Sequence, residues 1–318
     1  MKLETPPINM TPSVRCMPVC PGTVSANADS FDALSLLEKS RGSCLATEVC
    51  KFFVDFESFL PIDFEKLRNF VCAVEARTSA HSYHNSEHLL DCVQFLHSCL
   101  SSNGSLHMIS RRPLKAFASL LAMLVHDVSH PGLTNDTVRF KCPELYEKYG
   151  SESTIEQLHL DVVWDLFCVP ELNFLWRFSE PERKSVFDDV EKLVLATDMA
   201  RHHKIISACT CLESDPEFSA MALGVKLADL SHNLRPYSIH RKWVSRLQKE
   251  MELQGLSLGT DSYSLAKNQI YFLTTFVRPL LLEVKKKCAG NAFLEKVQSN
   301  LDGNIAIWEG IQSKAEIL

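Results

Sequence analysis

The sequence has no apolar segment long enough to span a membrane. None of its apolar runs reaches the roughly 18 to 20 residues that a bilayer requires, and the opening MKLETPPINM lacks the apolar region of a secretory signal. We therefore expect no transmembrane helix and a cytoplasmic location. Hydrophobic residues make up 46% of the 318 positions and charged residues 23%, which is typical of a soluble globular protein.

No stripe of positive charge is present either. The chain carries 33 Lys and Arg against 39 Asp and Glu, a formal net charge of −6, and the basic residues are scattered. This distribution argues against binding to duplex nucleic acid. Binding of an anionic ligand would therefore require positive charge at the binding site, supplied by metal ions or arginines.

A disulfide framework is not indicated, because the 12 cysteines are spread through a long chain. We expect reduced thiols. The close pairs Cys16/Cys20 and Cys209/Cys211 have no matching second pair, so neither predicts a structural zinc site.

Alternating polarity, the signature of half-buried strands, is almost absent. From Phe31 onward apolar residues recur at three and four positions, as in LKAFASLLAMLVH and VFDDVEKLVLA, which predicts amphipathic helices. Ser153 to Glu156 has capping-box spacing. Without an internal repeat, we expect an all-α, compact multi-helix bundle. Residues 1–30, rich in Pro, Ser and Thr, are expected to form a disordered tail, and residues 31–318 a single all-α domain.

Polar residues end several of these apolar stripes. His84 and His88 stand four apart, so a helix there would put both imidazoles on one face. His126, Asp127 and His130 follow one apolar run; Thr197 and Asp198 follow another, and Asp229 a third. Burying such groups is unfavourable unless each finds a partner, so the cluster predicts a metal site. Isolated histidines fit satisfied or exposed positions instead: His97, His107, His159 and His240.

The HDVSH stretch superficially matches the zinc-protease pattern HExxH. Asp in place of Glu shortens the reach of a base, and Pro131 would end the helix. A mixed site with ligands from separate helices is the better interpretation: imidazole suits zinc, while carboxylate and water suit magnesium or manganese. Two neighbouring cations could then clamp a phosphoryl group and generate a hydroxide.

Six motifs, in order, carry a family resemblance. They are YHNSEH (83–88), HDVSHPGLTN (126–135), SESTIE (151–156), ATDMARHH (196–203), ADLSHN (228–233) and NQIYF (268–272). Together they resemble the catalytic domain of class I 3′,5′-cyclic nucleotide phosphodiesterases over about residues 50 to 290. The resemblance implies an HD-type helical fold and metal-dependent hydrolysis of cAMP, cGMP or both to the 5′-monophosphate.

The resemblance also implies a role for each matching residue. The ligands of the tightly held metal, expected to be zinc, would be His88, His126, Asp127 and Asp229, with Asp127 bridging to a second ion, magnesium or manganese. His84 would be the general acid that protonates the leaving 3′ oxygen after attack by a bridging hydroxide. Three residues, His130, Glu156 and Thr197, would hold metal-bound waters, with Asn135 and Asp198 in supporting roles.

For the purine, Gln269 would hydrogen-bond the base, with Phe272 stacking on one side and Leu247 closing the other. The sequence departs from the family at Leu158, where a histidine is often found, and at His232, near the purine, where an asparagine is common. The connection 251–268 is also shorter than usual, which predicts a more open pocket rim.

Two other functions remain open from the sequence. One is a different HD-type nucleotide phosphohydrolase, which would not need Gln269 and Phe272. The other is a catalytically silent nucleotide-binding scaffold, against which the intact His84 and ligand set argue. The choice between cAMP and cGMP stays open because an amide can present a donor or an acceptor; so does the oligomeric state.

Overall fold

The described part of the chain is helical. A computed structural model describes residues 28–39, 45–78, 80–101, 111–211 and 215–316, and no strand occurs among them, which confirms the all-α prediction. The helices are α1 Ala33–Lys39, α2 Leu45–Phe53, α3 Phe64–Arg77, α4 Ser86–Ser101, α5 Pro113–Val125, α6 Asn135–Lys141, α7 Pro143–Tyr149, α8 Thr154–Phe167, α9 Glu180–Thr197, α10 His202–Thr210, α11 Pro216–Asp229, α12 Tyr237–Leu253, α13 Ser262–Phe272, α14 Arg278–Lys287 and α15 Ala292–Glu316.

Local capping explains where several helices begin. Before α9, the backbone N–H of Ser179 donates to the carboxylate of Glu182 at 2.9 Å. Before α11, Asp215 accepts hydrogen bonds from two backbone N–H groups of the first turn. Such contacts satisfy donors that have no partner within the helix. Helix α13 passes through a wider π turn, Leu273–Val277, before α14 begins, a feature that often marks functional sites.

The capping box expected at Ser153 is not formed. Helix α8 does begin at Thr154, but Ser153 adopts a left-handed conformation with φ +49° and makes no side-chain cap. Its Oγ donates instead to Asp198 at 2.7 Å, and Glu156 bonds to Asn135. Tertiary partners have replaced the local capping pattern.

Helix α5 lies at the centre of the bundle. Its residues Ala116–Val125 are all buried, as is the run His88–Leu100 of α4. Helix α5 packs against α4, α9 and α11. The polar ends of these helices therefore meet around one interior region.

A buried ion pair ties the start of the described chain to the core. Arg235 and Asp91 are both fully buried, with 3.0 Å between Nη2 and Oδ1. Nη1 of Arg235 donates to the carbonyl of Ala28 at 2.7 Å. The described residues Ala28–Ser30 form a helical turn, so packing begins within the expected tail; residues 1–27 of that tail, with Cys16 and Cys20, lie outside the described ranges.

A search of the described helices finds none with the length and apolarity needed to cross a membrane.

Replacing Arg235 by Met should strongly destabilise the fold. The change leaves the Asp91 carboxylate buried without its counter-ion, which costs about 3–5 kcal/mol of unfolding free energy. Urea unfolding followed by circular dichroism measures this. Lys184→Met is the control, because that lysine forms an exposed 3.8 Å pair with Asp188 and should change stability by less than about 0.5 kcal/mol. Equal effects of the two substitutions would contradict the prediction.

Candidate metal centre and active site

His84 lies just before helix α4 rather than within it. The helix begins at Ser86, where the Asn85 side chain accepts the backbone N–H of His88 at 3.1 Å. The expectation that one helical turn carries both imidazoles was therefore wrong. The chain bend still brings the His84 and His88 rings to a centroid distance of 5.8 Å, nearly perpendicular to each other.

The segment after α5 turns sharply to present its polar groups. Helix α5 ends at Val125, and the next residues include Ser129 with φ +59° and Gly132 with φ +67°. A Cβ atom at Gly132 would stand 2.7 Å from the His81 ring. Positive φ at a residue other than glycine is uncommon and tends to occur at functional sites.

Four ligand-type atoms from three separate segments meet in the interior. Nε2 of His88 lies 3.4 Å from Oδ2 of Asp127 and 3.4 Å from Oδ1 of Asp229. Nε2 of His126 lies 3.3 Å from the same two oxygens. Ligands placed tetrahedrally around zinc at about 2.0–2.2 Å are roughly 3.3–3.6 Å apart. The spacing therefore fits one shared cation.

The hydrogen-bonding state of these atoms fits a cation as well. Nδ1 of His126 lies 2.8 Å from the carbonyl oxygen of Met123. Donation there directs Nε2 towards the two carboxylates, and this nitrogen offers its lone pair, as in metal-binding histidines, when a cation takes the place of its proton. Nε2 of His126 and Oδ2 of Asp127 are buried and have no hydrogen-bond partner among the residues that the structure describes. Such orphaned atoms are rare in the interior of a protein.

Both carboxyl groups carry negative charge. Burial by itself would raise the pKa of Asp127 and Asp229, but the neighbouring His126 imidazole contributes to holding both pKa values well below the usual range. Two anions facing two imidazole nitrogens create a site for a divalent cation. A second group of possible ligands consists of His84, Asp127 and His130, so Asp127 is shared by both groups.

Cys92 lies near this cluster but does not extend the ligand set. Its Sγ lies 3.6 Å from both ring nitrogens of His88. Because the sulfur is equally far from both nitrogens, it lies beside the ring and not in front of Nε2. A metal bound in the ring plane at Nε2 would therefore be too far from this sulfur to bind it. Burial raises the pKa of the Cys92 thiol to about 11.

Glu250, on helix α12, fixes His84. Its carboxylate contacts Nδ1 of His84 and accepts the backbone N–H groups of Tyr83 at 2.7 Å and His84 at 3.2 Å. Burial would raise the pKa of Glu250, but these hydrogen bonds lower it. Sequence reasoning missed Glu250, because one acidic residue in a helix of mixed charge carries no distinguishing pattern.

His130 and His159 line the same region. The His130 ring stacks on His84 at 3.8 Å between centroids, and burial together with the neighbouring His84 holds the pKa of His130 well below its usual value. His159 was expected to be an isolated satisfied histidine. Its Nδ1 does pair with the Val128 carbonyl at 2.7 Å, but its Nε2 lies 3.7 Å from Oδ1 of Asp127. His159 therefore lies at the site. It directly follows Leu158, one of the positions at which the sequence departs from the family.

The expected supporting residues form a polar network beside the cluster. Asn135 donates to Glu156 at 3.0 Å and accepts the backbone N–H of Ile155. Burial and the nearby charge of Asp198 raise the pKa of Glu156 to about 7. The Thr197 hydroxyl donates to the Val194 carbonyl at 2.7 Å, which leaves its oxygen able to accept.

The residues expected to hold a purine are less closely tied to one another. Gln269, 6% exposed, and Phe272 both lie on α13. Leu247 on α12 and Phe272 are partly buried against the main core. Phe272 stacks on Phe276 of the π turn at 5.3 Å between centroids. Their shared contact with a base stays a prediction.

His232 is packed inside an aromatic cluster. It is 4% exposed, stacks on His240 at 5.5 Å and meets Tyr83 edge to face. Burial lowers its pKa well below the usual value, and its Nδ1 has no hydrogen-bond partner within the described part of the chain. Contact with substrate also stays a prediction for this residue.

Two of the isolated histidines have partners away from the cluster. His97 pairs with Asp55 at 2.8 Å. His240 accepts a hydrogen bond from the Trp308 indole at 3.0 Å through Nε2, while its buried Nδ1 has no hydrogen-bond partner among the described residues. His107 lies outside the described residues.

Comparison with known proteins identifies the family. A family model described as 3'5'-cyclic nucleotide phosphodiesterase matches residues 83–299. The chain belongs to this family. The probable 3',5'-cyclic phosphodiesterase pde-1 of Caenorhabditis elegans is 28% identical over 278 residues, which cover 80% of this chain and 41% of that protein. The mouse dual specificity calcium/calmodulin-dependent phosphodiesterase 1C is also 28% identical, over 79% of this chain and 38% of its own length.

Solved structures agree with the fold. The phosphodiesterase domain of the RhoPDE fusion protein from the choanoflagellate Salpingoeca rosetta superposes with a TM-score of 0.81 at 26% identity, over 93% of this chain and 98% of that one. The expected phosphodiesterase-type helical bundle is confirmed. The chain spans about two fifths of the length of the two curated relatives named above.

Divalent cations should stabilise the metal-depleted protein through this cluster. An ion present at 100 times its Kd adds about 2.7 kcal/mol to the unfolding free energy, so zinc should raise the melting temperature. Asp229→Asn keeps the side-chain shape, removes one anionic ligand and should abolish most of this increase. Asp188→Asn, at an exposed carboxylate, is the control and should respond like the wild type. A full zinc response in Asp229→Asn would show that the cluster does not bind the ion.

Proposed function

We propose that this protein hydrolyses the 3′ phosphoester bond of 3′,5′-cyclic nucleotides, cAMP, cGMP or both, to give the 5′-monophosphate. The observation that carries the proposal is that the imidazoles of His88 and His126 each lie 3.3–3.4 Å from the carboxylates of both Asp127 and Asp229. The His84–Glu250 pair belongs to the same candidate site. The names of the relatives, all 3',5'-cyclic phosphodiesterases, support this substrate class.

The proposed cofactors are zinc at the tighter site and magnesium or manganese at the second. Two imidazoles with two carboxylates suit zinc, whereas a position that offers Asp127 and water suits a harder ion. His130, Glu156 and Thr197 are proposed to hold water molecules around these ions. When bound, the cations would neutralise phosphate oxygens and lower the pKa of a water between them, which supplies the nucleophile.

His84 is proposed as the general acid. Because Glu250 contacts Nδ1, that nitrogen keeps its proton, and Nε2 is the atom that can hold and release a second proton. The side chain is 20% exposed, so this nitrogen has access to a ligand. Proton donation from Nε2 to the leaving 3′ oxygen would complete ring opening, and the contact with Glu250 fixes the orientation of the ring for this step.

The purine is proposed to lie between Phe272 and Leu247, with Gln269 bonding its edge. His232 is included as a neighbour of that pocket. An aromatic face and an aliphatic side chain hold a planar base without selecting its identity, so both substrates fit. We further propose that residues 31–318 act as one catalytic domain in the cytoplasm, a setting that the 12 dispersed cysteines favour.

Activity assays with cAMP and with cGMP, in the presence of magnesium, test the proposal. The wild type should hydrolyse at least one, and His84→Gln should lower kcat by about 10²–10⁴-fold through loss of proton donation. His97→Gln is the matched control, since His97 forms another histidine–carboxylate pair, with Asp55, outside the cluster. Turnover of neither nucleotide would favour the scaffold or another phosphohydrolase.

Phe272→Ala should weaken substrate binding more than it slows chemistry. Loss of base stacking costs about 1–3 kcal/mol, which corresponds to a KM increase on the order of tenfold or more, with kcat much less affected. Tyr271→Ala removes the adjacent aromatic, which is 60% exposed, and should leave KM near the wild-type value. Equal changes in KM for both variants would remove Phe272 from the proposed pocket.

A further inference from the structure

A lysine lies completely buried one helical turn before the metal-ligand position on α11. Lys226 has 0% exposure, and Asp229 ends the same helix three residues later. Burying an ammonium group is costly unless it is fully hydrogen-bonded. The position therefore calls for a structural or functional reason.

The ammonium group bonds to three successive carbonyl groups. Nζ of Lys226 donates to the backbone oxygens of Ala196 at 2.9 Å, Thr197 at 3.2 Å and Asp198 at 3.1 Å. These residues form the carboxyl end of α9 and the turn after it. The last carbonyls of a helix have no partner within it and carry partial negative charge. One buried cation thus satisfies the end of α9 and fixes it to α11.

From this turn, hydrogen bonds continue towards the segment that carries His126 and Asp127. Asp198 accepts the Ser153 hydroxyl at 2.7 Å, immediately before α8. Three residues further on, Glu156 accepts from Asn135 at 3.0 Å, and Asn135 begins α6. Lys226 is therefore joined by its own helix to Asp229, and through the turn to α8 and to α6, which begins eight residues after Asp127.

Charge balance also depends on this lysine. Burial lowers the pKa of Lys226 to about 8, while the charges of Asp229, Asp198 and Glu156 act in the opposite direction. The ammonium group therefore lies in the electrostatic field of these three carboxyl groups. Without it, the mutual repulsion of these groups would act against the observed arrangement.

We propose that Lys226 is a positioning residue of the metal site, which holds the Thr197–Asp198 turn against the helix that carries Asp229. This inference rests on the proposed metal-dependent function. It assigns the lysine no contact with substrate or metal. Some residues orient metal ligands without binding the metal themselves. Their removal typically lowers metal affinity or activity by about 10–100-fold.

The test is calorimetric titration of the metal-depleted full chain with Mn²⁺, at a temperature well below the melting point of each variant. Lys226→Met removes the charge and all three hydrogen bonds, and should weaken Mn²⁺ binding by about tenfold or more. Kinetic assays should show a fall in kcat larger than any change in KM. Lys226→Arg keeps a cation with several donors and should retain tighter binding than Lys226→Met.

The matched control is Lys115→Met. Lys115 also binds helix α9, through the Asp189 carboxylate at 2.8 Å, but two turns before its end. This variant should lose stability without losing Mn²⁺ affinity, which separates anchoring of α9 from positioning of the site. If Lys226→Met does not fold, Ser153→Ala removes only the bond to Asp198 and should weaken Mn²⁺ binding by a smaller factor.

The outcomes distinguish the two proposals. Wild-type protein that binds no Mn²⁺ would overturn the metal-dependent function itself. Wild-type protein that binds Mn²⁺, with unchanged affinity in Lys226→Met or, where that variant does not fold, in Ser153→Ala, would overturn the positioning role alone. An equal loss of affinity in Lys115→Met would also overturn it, because general loosening of α9 would then explain the effect.

Discussion

The structure depends on one electrostatic constraint. Each of two imidazole nitrogens lies 3.3–3.4 Å from both of two carboxylate oxygens in the interior, and one atom of each kind has no hydrogen-bond partner among the described residues. A divalent cation is among the few partners that satisfy all four at once. The central helices α4, α5 and α11 direct their polar ends to this point, so the packing of the bundle also assembles the candidate metal site.

Buried polar contacts hold the residues around that site, and two of these residues have strained backbone conformations. Glu250 holds His84 from helix α12, and Lys226 holds the end of α9 from helix α11. Ser129 and Ser153 both adopt positive φ, a conformation that costs on the order of 1–3 kcal/mol and persists only where neighbouring contacts enforce it. At Ser153 that contact is the bond to Asp198. The strained conformations of Ser129 and Ser153 therefore lower local stability, and they set the course of the chain beside the site.

Periodicity was sufficient for the long helices because burial of an apolar stripe depends mainly on sequence spacing. Segments such as 114–126 and 186–196 were expected as helices and lie in α5 and α9. The motifs also pointed to the ligand-type residues that the structure brings together. Glu250 and Lys226 escaped notice, and His159 was expected to be isolated, because the role of a single acidic, imidazole or basic side chain depends on the partner it contacts in the fold. The capping box failed for the same reason: Asp198, 45 positions away, is the partner of the Ser153 hydroxyl.

The sequence by itself determined an all-helical chain, its family and the residue types available for a metal site, since these follow from local spacing and motif order. Only the tertiary structure decided which atoms face one another. It placed His84 outside the helix of His88 and brought His159 to Asp127. It also buried Lys226 of α11 against the carboxyl end of α9. Such pairings join residues many positions apart, and they form only when the packing of the core fixes the relative positions of whole helices.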